Sequence, residues 1–119
     1  MHPFRGRGRL LSILRRHAKS VRSAYGPYMR VRQGDITNAF ALSGHYGSDL
    51  VEAIQALPDD GIFIDIGANQ GVFSLCAGLH LRKGTVIALE PNPDIFAELI
   101  GNIRIRMTCS CKSRVLRSS

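Results

Sequence analysis

The chain has 119 residues, enough for one small domain or for part of a larger one. Its formal charge of +7 is unevenly spread, because residues 1–33 and 101–119 are basic and lack acids, whereas residues 34–100 hold all nine acids. The pI of ≈ 10.0 therefore describes the two flanks and excludes a uniformly basic domain.

The three cysteines are odd in number and lack the spacing of a disulfide framework, which favours a reducing, cytoplasmic environment. Cys76 is expected to be a small buried hydrophobic residue rather than a reactive thiol. No apolar run approaches the ~20 residues that a membrane span needs. The arginine-rich N-terminus does not suit a secretory signal.

Residues 1–24 are predicted to form a basic N-terminal extension. Apolar side chains at helical spacing over residues 10–22 predict a weak amphipathic helix with Arg and Lys on its other faces. A solvated helix that packs on the domain is the preferred interpretation. Weak contact with a membrane surface, a transit peptide and a nucleic-acid arm stay open. The absence of an aromatic stacking platform argues against specific nucleic-acid binding.

The next segment predicts a hairpin and a helix. Tyr25-Gly26-Pro27-Tyr28 is typical of a turn, residues 29–32 alternate like a half-exposed strand, and residues 36–42 are expected to return beside it. Ser48 is the expected N-cap of a helix whose apolar face comprises Leu50, Val51, Ile54 and Leu57.

Residues 62–66 form a short apolar run that predicts a buried strand, interrupted only by Asp65. A glycine-containing turn and a helix over about 70–81 follow. Residues 85–89 predict a second parallel strand, which ends in Glu90. Asn92 suits the N-cap of the next helix, with Pro93 at its first position.

Residues 104–119 have neither helical nor strand periodicity and are rich in Ser, Cys and Arg. We expect a basic tail outside the fold, of the kind that a shift of reading frame would produce. The predicted fold class is therefore α/β and Rossmann-like but incomplete. It comprises the first two parallel strands with their helices, preceded by an N-terminal helix or hairpin.

The turn from Gly67 to Gly71 indicates which cofactor the site takes. A dinucleotide site needs G-x-G-x-x-G, but Asn69 stands at the second glycine, and Asp65 would place a negative charge near a pyrophosphate. S-adenosylmethionine has a positive ammonium and sulfonium instead, and Glu90 could accept hydrogen bonds from its ribose hydroxyls. In the alternative interpretation, Asp65 only caps a turn and Glu90 is exposed before a proline.

The sequence FIDIGANQG at 63–71 with ALEPNP at 88–93 resembles the FkbM-type methyltransferase family, and so does the spacing from Leu99 to Asn102. The resemblance covers residues 25–103 and implies a partial domain of this family. Such enzymes use S-adenosylmethionine to methylate hydroxyls of sugars, polyketides or other small molecules. The implied partner is thus a hydroxyl-bearing small molecule or sugar.

The resemblance also implies site residues. The methionine end of the cofactor would be lined by Asp65, Gly67, Asn69 and Gly71, the ribose would be held by Glu90, and the adenosine side would be flanked by Pro91 and Asn92. The acid that follows the third strand in this family is absent, as are the later acidic motif and the substrate lid. No catalytic base or metal site is identified, and His45 and His80 are expected at the surface.

We therefore expect a methyltransferase fragment that is inactive, or nearly so, as it stands, because two parallel strands make a poor sheet. Micromolar binding of S-adenosylmethionine would contradict this. Two other classes stay open: an NAD-type dinucleotide-binding oxidoreductase fragment, and a non-catalytic protein that interacts through its basic flanks.

Overall fold

The computed structural model describes residues 20–30, 39, 42–106 and 112–117. These form a two-stranded antiparallel hairpin and a three-stranded parallel sheet with helices, which makes the fold α/β. The elements in chain order are β1 (Ser20–Arg22), β2 (Tyr28–Arg30), α1 (Ser48–Gln55), β3 (Ile62–Ile66), α2 (Val72–His80), β4 (Thr85–Leu89), α3 (Pro93–Arg106) and β5 (Lys112–Leu116).

The hairpin forms from different segments than the sequence suggested. The predicted turn at Tyr25–Tyr28 is present and is closed by the N–H of Ser23, which donates to the carbonyl of Pro27 at 2.8 Å. This turn folds β2 back onto β1, although residues 20–22 had been assigned to the end of a helix. The expected return strand is wrong where it is described, because Ala39 and Leu42 are helical. The remainder of segments 10–22 and 36–42 lies outside the described residues.

The parallel pairing of β3 with β4 is confirmed, in a register that places Asp65 beside Ala88. The cap of α3 is also confirmed, since the side-chain oxygen of Asn92 accepts the N–H groups of Asp94 (3.0 Å) and Ile95 (3.3 Å). Ser48 is not a cap. It is the first residue of α1, and Gly47 precedes it with a φ of 85°. Glycine suits this position because other residues rarely adopt a positive φ.

The prediction that the sheet has two strands is wrong. β5 pairs in parallel with all five residues of β4, and the N–H of Glu90 extends the ladder to the carbonyl of Leu116 at 3.2 Å. Helix α3 also continues to Arg106. Backbone groups alone make these ladder bonds, so an edge strand can form without alternating apolar side chains. The sequence of such a strand then shows no strand periodicity. The domain boundaries 1–24, 25–103 and 104–119 stay a prediction.

One face of the parallel sheet is covered and the other is not. Val86 and Ala88 are buried beneath α2 and α3, in contact with apolar side chains such as Leu81 and Leu99. On the opposite face, Ile62, Ile64 and Ile66 are 64%, 56% and 84% exposed. The expectation that β3 is a buried strand is therefore wrong on this face, because the described helices all lie on the other side.

Candidate functional site

The carboxyl ends of the parallel strands meet at one edge of the sheet, where the turn after β3 folds tightly onto the end of β4. The N–H groups of Gly67 and Ala68 both donate to the carbonyl of Leu89 at 2.9 Å. The turn uses left-handed backbone angles three times, with φ of 75° at Gly67, 52° at Asn69 and 98° at Gly71. Glycine and asparagine are the residues that tolerate this conformation best.

Glu90 lies at the centre of this edge and is only 6% exposed. Its Oε2 accepts the N–H of Asn69 and its Oε1 accepts the N–H of Asn92, both at 2.9 Å. The alternative interpretation, in which Glu90 is exposed before a proline, is therefore wrong. One carboxylate joins the turn after β3 to the segment that leads into α3.

Asp65 is bound to the start of helix α2. The hydroxyl of Ser74 donates to its Oδ2 at 2.6 Å, and the backbone N–H of Ser74 also donates to the carboxylate. Burial raises the pKa of Asp65 above its ordinary value of 3.8, the bonds from Ser74 lower it, and the negative charge of Glu90 raises it further. Asp65 thus contacts the first turn of a helix, whereas the alternative interpretation of the sequence had it capping a turn.

Two features leave this edge suited to a ligand with hydrogen-bond donors. The side-chain Oδ1 of Asn69 is buried and accepts no hydrogen bond from the described residues. Such an atom is costly to bury without a partner. Beside it, a Cβ on Gly67 would meet no atom within 4 Å, so the space over the turn is open.

Helix α3 also contacts this turn, through residues that were not predicted from the sequence to lie in the site. Gln70 donates from Nε2 to Oε2 of Glu98 at 2.6 Å, and its carbonyl accepts Nδ2 of Asn102 at 2.8 Å. A Cβ on Gly71 would lie 2.7 Å from Cδ1 of Leu99. This close approach and the positive φ of Gly71 together favour glycine at position 71. The sequence feature that could have indicated this contact is Asn102, a polar residue one helical turn after the buried Leu99.

The other predicted site residues contribute less. Pro91 is exposed, and Asn92 serves the site through its backbone N–H while its side chain caps α3. His45 is exposed as expected. His80 is partly buried, with its Nε2 2.7 Å from the carbonyl of Leu57. Cys76 is confirmed as a buried hydrophobic residue, and burial raises the pKa of its thiol to about 12.

Within the part of the chain that the structure describes, no group of three or more His, Cys, Asp or Glu side chains could hold a metal ion. No described helix has both the length and the apolar composition to cross a membrane.

The fold is α/β and Rossmann-like, and solved structures with a similar fold include the following two. TYW2 of P. horikoshii, solved in complex with MeSAdo, aligns with a TM-score of 0.57 at 22% identity over 77% of this chain and 33% of its own. PH0793 of Pyrococcus horikoshii aligns with a TM-score of 0.59 at 19% identity over 82% of this chain and 36% of its own.

This chain spans about a third of the length of both proteins, and at such identity the similarity concerns the fold alone. No protein-family profile matches the sequence. No curated protein matches it either. The resemblance to the FkbM-type family therefore stays a prediction.

Proposed function

We propose that this chain forms the cofactor-binding part of an S-adenosylmethionine-dependent transferase that methylates a hydroxyl of a sugar or small molecule, as FkbM-type enzymes do. The observation that carries the proposal is the buried carboxylate of Glu90, which fixes the turn after β3 at the carboxyl edge of the sheet. In folds of this kind, ligands lie at that edge. The similar structure of TYW2 holds MeSAdo, an analogue of S-adenosylmethionine.

The described residues fit the cofactor. Its ammonium group needs acceptors, and the turn offers the carboxylate of Asp65 and the unpartnered Oδ1 of Asn69. The open space over Gly67 lets the methionine moiety approach the backbone. The carboxylate oxygens of Glu90 each accept one N–H and have a second lone pair, so they can also accept from the ribose hydroxyls. Pro91 and Asn92 would border the adenosine side.

The same geometry argues against a dinucleotide. A pyrophosphate site presents unpaired backbone N–H groups at the turn and at the helix N-terminus. Here the N–H groups of Gly67, Ala68 and Asn69 all donate to acceptors within the protein. Asp65 accepts the N–H of Ser74 in the first turn of α2, where a phosphate would bind. A carboxylate at that point also repels phosphate.

When bound, the cofactor would supply a methyl group on a positively charged sulfur. The chain's own contribution would be orientation: Glu90 would fix the ribose, and Asp65 with Asn69 would fix the amino-acid end, so that the methyl points in line with an acceptor oxygen. We assign no general base. The sequence alone led us to expect no tight cofactor binding, because it predicted only two parallel strands. A third strand supports the sheet edge that carries the turn and Glu90, so we propose that the chain binds the cofactor. Because the chain spans about a third of the related structures, we propose that it transfers no methyl by itself.

Calorimetric titration of the full chain with S-adenosylmethionine, S-adenosylhomocysteine and NAD tests the proposal. We expect one saturable site for the first two ligands and at least about tenfold weaker binding of NAD, a difference of ~1.4 kcal/mol. Binding of NAD as tight as that of S-adenosylmethionine would instead support an oxidoreductase fragment. Absence of binding for all three would refute the cofactor site.

The cytoplasmic location stays a prediction.

A further inference from the structure

Asn102 is buried in α3, 1% exposed, and both ends of its side-chain amide are bonded. Its Oδ1 accepts the backbone N–H of Arg30 in β2 at 2.9 Å, and its Nδ2 donates to the carbonyl of Gln70 at 2.8 Å. One neighbour can only donate and the other can only accept, so the orientation of the amide is fixed by its partners. The hairpin and the turn after β3 therefore meet at a single side chain.

The turn depends on this side chain for its shape. The carbonyl that Asn102 holds belongs to Gln70, the residue directly after Asn69. Asn69 has a positive φ and points its N–H at Glu90. Leu99, one turn earlier on α3, fills the space beside Gly71. A rotation of the peptide that follows Gln70 would disturb the acceptors on which cofactor binding is proposed to depend.

We infer that Asn102 is a positioning residue that couples the β1–β2 hairpin to the cofactor turn. The inference rests on the proposed function. Since coupling of two equilibria is reciprocal, binding of the cofactor stabilises the contact to β2, and order in β2 strengthens binding of the cofactor. Asn102 itself does not touch the cofactor.

The test uses amide hydrogen exchange, followed by NMR, together with calorimetry on the full chain. In the wild-type protein, saturating S-adenosylmethionine should slow exchange of the Arg30 amide by about fivefold or more. This measurement needs no variant, and an unchanged Arg30 rate in the saturated protein overturns the inference.

Asn102→Asp separates the two bonds, because an aspartate can still accept from Arg30 but, when ionised, cannot donate to Gln70. We expect its affinity for S-adenosylmethionine to fall about tenfold and the response of the Arg30 amide to disappear. Ile103→Val is the matched control on the same helix, since it removes one buried methyl group and no hydrogen bond. Its affinity should stay within about twofold of wild type.

Wild-type affinity in Asn102→Asp, with the Arg30 response retained, overturns the inference. If the wild-type chain binds no cofactor, the proposed function fails. NMR spectra recorded without cofactor then test the role of Asn102 separately. Asn102→Asp should then shift the amide resonances of Asn69 and Gly71 more than those of Val51 and Ile54 in α1. Equal shifts in both regions overturn it.

Discussion

Two carboxylates lie at neighbouring strand ends of this molecule, and the protein holds them in different ways. Glu90, after β4, accepts backbone N–H groups from two separate segments, the turn after β3 and the entry to α3. Asp65, near the end of β3, is held by the hydroxyl and the N–H of one residue, Ser74. Glu90 thus joins distant parts of the chain, whereas Asp65 contacts one helix end.

Because the carboxylates of Glu90 and Asp65 are held differently, we expect their removal to have different effects. Removal of Glu90 would break a connection between segments of the fold. Removal of the charge on Asp65 would relieve a desolvated carboxylate whose pKa is raised by burial and by its negatively charged neighbour. We therefore expect Glu90 to serve stability and binding together, and Asp65 to serve binding at the expense of stability. Three experiments test this division, in order of expected effect.

Glu90→Ala should have the largest effect. It leaves the N–H groups of Asn69 and Asn92 without their acceptor in a buried place. Two such losses should lower the free energy of unfolding by about 3 kcal/mol and abolish binding of S-adenosylmethionine. Urea unfolding followed by circular dichroism measures the first effect, and calorimetry measures the second.

Glu52→Ala is the matched control for that experiment, because it makes the same substitution at an exposed position of α1. It should change the free energy of unfolding by no more than about 0.5 kcal/mol. Equal stability losses in the two variants would show that Glu90 is no more structural than an ordinary surface glutamate.

The parts of the fold with strong local signals could be predicted from the sequence. The apolar strand, the glycine turn and the helix from Val72 to His80 are consecutive elements, and each carries its own pattern. The cap at Asn92 is also local, because an N-cap bonds to residues two and three positions further on. Glu90 could be placed in the site because it ends the next strand in a parallel sheet.

The parts that depend on distant contacts could not be predicted. Three of the five residues of β5 are polar, and its apolar residues do not alternate with polar ones, so only its pairing with β4 reveals it as a strand. The exposure of Ile62, Ile64 and Ile66 depends on which face the helices cover, which the strand's own composition does not show. The role of Asn102 requires knowing that β2 and the turn after β3 both lie against α3.

Asp65→Asn should separate binding from stability. The substituted side chain keeps the shape and an acceptor for Ser74 but loses the negative charge. We expect the affinity for S-adenosylmethionine to fall by about tenfold or more, because hydrogen bonds to charged groups contribute ~1.5–3 kcal/mol. The free energy of unfolding at neutral pH should be unchanged or slightly higher, since a desolvated charge has been removed.

Asp60→Asn serves as the control, because Asp60 is an exposed aspartate just before β3. The same change of charge there should leave cofactor affinity within about twofold. If Asp65→Asn binds as tightly as wild type, Asp65 has only the helix-capping role. If it unfolds far more readily, the division between the two carboxylates is wrong.

The smallest expected effect is a dependence on pH, which has opposite signs for the free energy of unfolding and for cofactor affinity. The pKa of Asp65 is raised on folding, so the folded chain binds more protons than the unfolded chain between pH 3.8 and the folded pKa. The contribution of Asp65 to stability is therefore fully present below the unfolded pKa and is lost as the pH rises through the folded pKa. Cofactor affinity should rise over the same interval, because the ammonium group requires the ionised carboxylate.

The comparison of wild type with Asp65→Asn isolates this carboxylate from all others that titrate. Both the free energy of unfolding and the affinity for S-adenosylmethionine are measured for the two proteins from about pH 4 to pH 7. As pH falls, wild type should gain stability relative to the variant and lose its advantage in affinity. The free energy of unfolding and the affinity of wild type, each relative to the variant, could instead change in the same direction with pH. That result would contradict the proposal that the ionised form of Asp65 destabilises the fold and favours cofactor binding.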